Sequence, residues 1–286
     1  MLTLDGAGLR VSVLDPRDEG DERRLGSRYV AGGYVWQVTD ERHGALLSGP
    51  AFPAEDPPVF DGQGLPEVFE TALGASTARV GDEVYVIGVG RVRRESAVRP
   101  FHVRDNPTVT ERAAWRVTAT ATRVEAETRG AFEGFGVELG RVVEVRGRVI
   151  TSSTRLRNVG ERVVPVRWFA HPFFPWVAAG DEVCRLSLES ALPEMSPLFE
   201  NERGWLERRA GVDWTRGHYM TPRVTLGAEL QVEQRHPKLG TVRVECRFPL
   251  GGLAIWGNAS TVSFEPFLQT NVEVGGEVRW EMAYGF

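Results

Sequence analysis

The sequence predicts an all-β protein, a large and mostly antiparallel β-sandwich with very little helix, on three observations. Short runs of alternating apolar and polar residues recur along the 286 residues, and 32 glycines and 17 prolines punctuate them. No stretch of three helical turns carries apolar residues at i, i+3, i+4 and i+7. Without helices between the strands there are no βαβ units, which removes doubly wound sheets and parallel barrels. A sandwich of this size folds as one unit, so a single domain is expected over residues 1–286.

Each element follows from local pattern. Residues 48–73 hold Pro50, Pro53, Pro57, Pro58 and Pro66 and are expected to be mostly loop, because proline supplies no ladder N–H. Residues 115–128 read as the clearest strand, with Val117, Ala119 and Ala121 alternating with polar residues and running into Val124 and Ala126. Strands over 142–149 and 150–157 follow. In residues 163–174, parity puts Val164, Val166, Trp168 and Ala170 on the core face and Arg167, Phe169 and His171 on the other. Residues 191–221 form a second proline-bearing loop, of the length that often makes a binding wall or lid. Its Trp205, Trp214 and Tyr219 either offer a face to a sugar or pack the loop onto the sandwich. Residues 230–235 and 241–248 make a hairpin around the Gly-containing loop 236–240. Strands at 262–264 and 278–284 close the chain, with Val262 and Phe264 facing the core, and Ser263 and Glu265 facing away.

Composition excludes several functions. The balance of 34 basic and 39 acidic residues gives a net charge of −5, with the arginines spread along the chain and Lys238 the only lysine. Nucleic acid is therefore not an expected partner. No apolar run nears the roughly 18 residues of a membrane helix, so no membrane partner is expected either. Met1-Leu2-Thr3-Leu4-Asp5 lacks the pattern of a secretory signal, and Cys184 and Cys246 form no CxxC, so the expected location is cytoplasmic. There is no GxSxG, P-loop or HExxH, and Gly88-Val89-Gly90 meets Arg93 where a dinucleotide fingerprint needs its third glycine. The five histidines (43, 102, 171, 218 and 236) are widely separated, so no metal and no cofactor are expected.

Acid–base chemistry or plain binding remains. His171 ends its strand before Pro172 and is either structural, donating to a backbone carbonyl, or functional. Glu265 is either a solvated strand-end carboxylate or its partner. A neutral imidazole and a carboxylate on neighbouring strands can act as acid and base, with ordinary pKa values of about 6.5 and 4.3 tuned by a shared pocket.

Leu156-Arg157-Asn158-Val159-Gly160 followed by His171-Pro172-Phe173-Phe174 resembles the aldose 1-epimerase, or galactose mutarotase-like, superfamily. Phe264-Glu265-Pro266 resembles its Leu-Glu-Pro segment, and Gly275-Gly276-Glu277 with Trp280, Tyr284 and Phe286 its closing strand. Gly62-Gln63-Gly64-Leu65-Pro66 resembles the Gly-Gly-Ile-Pro loop of the hexose-phosphate epimerase branch. The resemblance implies a β-supersandwich with a monosaccharide or sugar phosphate in a cleft on one sheet face. It implies Glu265 as general base and His171 as general acid; a pyranose ring must fit between the two, so they are expected to face each other across a few ångströms to about a nanometre, neither touching directly nor lying on opposite sides. Arg28, in Gly26-Ser27-Arg28-Tyr29, and Glu67 are candidate sugar ligands by loop position, and Arg91 and Arg167 are further candidates. Ile87-Gly88-Val89-Gly90-Arg91 keeps the arginine of a family His-Gly-x-x-Arg motif and replaces its histidine with a side chain that cannot hydrogen-bond a sugar. That departure keeps a non-catalytic carbohydrate-binding protein in view beside an epimerase acting on sugars or hexose phosphates. A polysaccharide lyase or glycoside-acting enzyme is a third reading, for which the chain has no room for an additional domain.

Overall fold

Strand parity over residues 135–158 sets up the larger of two facing sheets. In Phe135–Arg146 the odd-numbered Val137, Leu139, Arg141, Val143 and Val145 are buried while the even-numbered residues between them are partly exposed. Arg146 pairs with Val149 across a two-residue turn whose Gly147 has φ 61°, a conformation glycine adopts without Cβ strain. The computed structural model describes residues 1–54, 56–177 and 182–286. In it, Phe135–Arg146 and Val149–Asn158 lie within a ten-stranded antiparallel sheet that also takes in Glu277–Gly285, Gly240–Arg247 and Leu230–His236. A six-stranded sheet packs against it, built on His218–Met220, Gly252–Gly257, Thr261–Val272, Val164–Ala170 and Glu67–Phe69, with Phe174–Pro175 as a short side strand. Two four-stranded sheets flank these, one at the N-terminus and one over residues 72–112. The expected all-β supersandwich is the observed architecture. The described helix is one α-helical turn, Glu19–Glu22, and one 3₁₀ turn, Val103–Asp105. No helix among the described residues is long and apolar enough to cross a membrane.

The core lies between the two large sheets. Trp168, fully buried, meets Trp280 at 5.3 Å and Phe248 at 5.5 Å between ring centroids, both edge-on. Such edge-to-face pairs add about 0.5–1.5 kcal/mol each beyond their burial. Val164, Val166 and Ala170 are buried beside Trp168, as parity requires.

Local structure departs from the sequence reading in two places. Residues 115–128 are not one strand but two, Trp115–Ala119 and Arg123–Phe132, paired antiparallel with Trp115 opposite Thr128. The buried residues are odd before the turn (Trp115, Val117) and even after it (Val124, Ala126), a change of parity that one straight strand cannot make; Ala119 and Ala121 are exposed. Residues 191–221 are not structureless. Leu198–Glu200 and Trp205–Arg208 extend the edge of the ten-stranded sheet, and His218–Met220 edges the six-stranded one. Trp205 and Trp214 pack inward, and Tyr219 is 57% exposed. The hairpin at 236–240 is as expected, tightened to three loop residues by the pairing of His236 with Gly240. Of the expected loop over 48–73, residues 48–54 and 56–66 are loop, as their prolines dictate, while Glu67–Phe69 and Ala72–Leu73 are short strands.

Candidate active site

A break in one strand builds the site. Val164–Ala170 runs antiparallel to Thr261–Val272 as far as the pair Phe169–Phe267, and the side strand resumes the pairing at Phe174–Val262. Between them, residues 171–173 leave that ladder and bond instead to a loop on their other side. The His171 N–H donates to the Pro66 carbonyl at 2.9 Å and the Phe173 N–H to the Gly64 carbonyl at 2.8 Å. Pro172 and Pro266, neither with an N–H to offer, sit at the interruption, where a missing donor costs nothing. Gly64 (φ 81°) passes so close to the Val35 and Trp36 carbonyls, 2.4 and 2.5 Å from where a Cβ would stand, that a larger residue is barred.

The sheet face away from the core carries Phe169 and His171 from one strand line, Ser263, Glu265 and Phe267 from the next, and Trp256 and Tyr219 beyond. The same parity that sends Val262 and Phe264 into the core sends Ser263 and Glu265 here. His171 Nδ1 lies 2.8 Å from Ser263 Oγ, and Nε2 lies 3.3 Å from Glu265 Oε1. Their side chains are 3% and 5% exposed. The His171 ring is held at 4.3 Å from Phe173, 5.8 Å from Phe169, and edge-on to Trp256 and Tyr29. Burial pushes the Glu265 carboxyl up to about 7, against a smaller opposing pull from the Arg28 charge. Burial, reinforced by Arg28, holds the imidazole well below its usual value. Below about pH 7 the pair therefore carries a single proton, on the Glu265 carboxyl, beside a neutral imidazole.

Above this pair opens a cleft of about 500 Å³, within the range of small-molecule sites, walled by Arg28, Phe60, Asp61, Glu70, His102 and Arg104 together with the sheet-face aromatics. A larger concavity of about 690 Å³ lies on the outer face of the ten-stranded sheet, but its charges pair with one another, as Arg247 does with Glu281 and Arg155 with Glu127.

The sequence-derived candidates divide. His171, Glu265 and Arg28 converge on the cleft. Glu67 does not: it is 3% exposed within the core, where Arg141 Nη2 and Ser152 Oγ each lie 2.7 Å from Oε1, and Trp168 Nε1 lies 3.1 Å from Oε2. Its loop position puts it beside Pro66, but strand parity turns its side chain to the opposite face from His171. Arg91 is also elsewhere, ion-paired with Glu83 and Glu111. Arg167 is on the expected face but stacks on Phe267 and pairs with Glu70, so it reaches the cleft only through those two rim residues. The expectation that His171 and Glu265 do not touch, with room for a pyranose ring between them, is overturned: Nε2 lies 3.3 Å from Oε1, because adjacent strand lines bring the two side chains together. Ile87 is fully buried, and the cleft draws a histidine from a different segment, His102. Phe60, His102, Arg104 and Trp256 carry no local sequence signal, since Phe60 and His102 come from loops, Arg104 from the 3₁₀ turn Val103–Asp105, and Trp256 sits in a strand apolar on both faces. Among the described residues, no group of three His, Cys, Asp or Glu side chains is placed to hold a metal ion.

No family model matches the sequence, and no curated protein does. Solved structures do match its fold. A galactose mutarotase related enzyme from Lactobacillus acidophilus superposes with a TM-score of 0.60 at 12% identity, over 99% of this chain and 96% of that one. A galactose mutarotase-like protein from Lactobacillus casei gives 0.56 at 12% identity, over 100% and 99%. An aldose epimerase homologue from C. elegans gives 0.50 at 10% identity, over 99% and 97%.

Proposed function

We propose that this chain, which has the galactose mutarotase-like fold, is a cofactor-independent sugar 1-epimerase, with Glu265 as general base and His171 as general acid. The observation that carries the reading is the His171–Glu265 contact at the floor of a sugar-sized cleft. The solved neighbours described as a galactose mutarotase related enzyme and an aldose epimerase homologue support it.

The anomeric oxygen and the ring oxygen of a pyranose are both bonded to C1, so two groups in contact with each other can serve both. The reactive form is reached when the pair's proton passes from Glu265 to His171 Nε2 across their contact, leaving Glu265 ionised. Glu265 takes the proton of the anomeric hydroxyl, whose electrons form the C1=O bond of the open aldehyde. The bond from C1 to the ring oxygen breaks, and His171 Nε2 supplies the proton that oxygen needs. Rotation about C1–C2 and closure on the other face return both protons and give the second anomer. Ser263 at Nδ1 fixes the ring so that Nε2 faces Glu265. Each transfer contributes roughly 10²–10⁴-fold.

Exchange NMR on a panel of aldoses tests the reading. Acceleration above buffer, lost in Glu265→Gln, is expected. Sugar binding with no acceleration for any sugar would assign the cleft to binding alone.

A further inference from the structure

We propose that the Tyr219 side of the cleft is a second sugar subsite, so that the ring anomerised at His171 and Glu265 is the reducing end of a neutral di- or oligosaccharide; this rests on the sugar reading above. Tyr219 lines the cleft and is more than half exposed. Its neighbours in the segment pack inward: Trp205 is buried, and Trp214 meets Trp176 at 5.0 Å and His218 at 4.9 Å between ring centroids. Among the described residues the Tyr219 ring stacks on no other ring and its hydroxyl makes no hydrogen bond. The backbone beneath it is fixed all the same, because Tyr219 pairs with Trp256 and the buried Met220 pairs with Ile255. An aromatic face that is held rigid and left uncovered costs little ordering to use, and it suits the apolar C–H face of a sugar ring.

Register sets the distance. Trp256 pairs in turn with Ser263, whose hydroxyl holds His171, so Tyr219 stands two strand spacings, roughly 10 Å, from that serine. One pyranose ring seated on the proton-transfer pair fills this span, and a second ring linked to its far side lies over the phenol. His218–Met220 is an outermost strand of the six-stranded sheet, so no further strand of that sheet closes the cleft there, and a longer saccharide can run out past Tyr219. The two sides also differ in charge. At the Phe60 edge the Arg28 and Arg104 guanidiniums share one ring, 4.4 and 5.5 Å from its centroid. Arg167, by contrast, stacks on Phe267 and is neutralised by Glu70, and both charges are near enough to act on the Tyr219 phenol. Burial, reinforced by Glu265 and Glu70, pushes that phenol up to about 12, so it is a neutral hydroxyl at any working pH. A ring on this side meets an aromatic face, a neutral hydroxyl and a charge pair that cancels, which are partners for sugar hydroxyls and not for an ionised group.

Calorimetric titration and exchange NMR test this on the wild type, Tyr219→Ala and Tyr219→Phe, with each disaccharide compared with its own reducing-end sugar: maltose, cellobiose and lactose with glucose, xylobiose with xylose, and mannobiose with mannose. At least one disaccharide is expected to bind about 10-fold or more tightly than its monosaccharide. The side chain of Tyr219 is largely outside the core, so Tyr219→Ala is expected to keep the melting temperature and bring that ratio close to one, while Tyr219→Phe, which keeps the ring face, retains most of it. No preference for any disaccharide in the panel, or a preference unchanged in Tyr219→Ala, overturns the proposal. Monosaccharides anomerised without a disaccharide preference would remove the subsite and leave the epimerase reading standing. A Tyr219-dependent preference in a protein that anomerises nothing would leave the subsite standing and remove the epimerase reading.

Discussion

His171 Nε2 stands 3.3 Å from Glu265 Oε1, in a pocket where neither side chain is more than 5% exposed. An imidazole and a carboxyl so enclosed are in reach to pass a proton to each other and to a ligand bound above them. Replacing either one, by Glu265→Gln or His171→Gln, is expected to slow anomerisation roughly 10²–10⁴-fold, and the double variant to be no slower than the worse single one. Additive losses in polarimetric rates would show that the two groups do not work as a unit.

The same contact predicts how stability depends on pH. Between about pH 4.5 and 6.5 the unfolded chain holds one proton on this pair, on histidine, and the folded chain also holds one, on the carboxyl raised to about 7. Folding then neither takes up nor releases a proton, and the pair adds no slope in that window. Glu265→Gln leaves the depressed imidazole alone, so stability is expected to fall as pH drops below 6.5. His171→Gln leaves the raised carboxyl alone, so stability is expected to fall as pH rises from 4.5 through 7, by on the order of 3 kcal/mol in all. Denaturant titrations across pH check both signs, and parallel slopes in the two variants would refute the shared proton.

Glu67 and Arg141 bridge the two sheets through the core, at 3% and 2% exposure. Removing one partner, as in Arg141→Leu or Glu67→Leu, is expected to cost about 3–5 kcal/mol, because the remaining charge is buried alone. The double leucine variant should recover most of that loss. Sugar affinity in folded Glu67→Gln should match wild type, and a large rise in Kd would return Glu67 to the substrate ligands.

Gly217 lies against the Trp256 indole, so close that a Cβ on residue 217 would stand 3.0 Å from the ring. Gly217→Val would push the indole into the cleft beside His171. Weaker sugar binding with little change in melting temperature is expected; unchanged affinity would show that Trp256 does not contact the sugar.

Much of this is legible one strand at a time. Alternation assigns the core face of Val164–Ala170 and turns Ser263 and Glu265 away from the core, and the prolines mark residues 48–73 as mostly loop, missing only the short strands Glu67–Phe69 and Ala72–Leu73. Reading residues 115–128 as one strand fails where apolar parity switches between Val117 and Val124, a signal present in the sequence. Glu67 is misplaced by its sequence neighbourhood because nearness to Pro66 along the chain says nothing about which face its side chain takes. Arg91 and Arg167 are arginines among many, and only their neighbours decide which are already paired.

By itself the sequence determined the all-β class, the two faces of Val164–Ala170 and of the strand carrying Ser263 and Glu265, and the histidine and glutamate worth watching, because side-chain alternation and backbone donors are local properties. Only the tertiary structure decided that His171 touches Glu265, that Glu67 belongs to the core, and that Arg28 and Arg104 share Phe60. Those facts depend on register between strands and on where loops far apart in the chain come to rest, and burial, which sets both the contact and its protonation, exists only once the sheets have closed on each other.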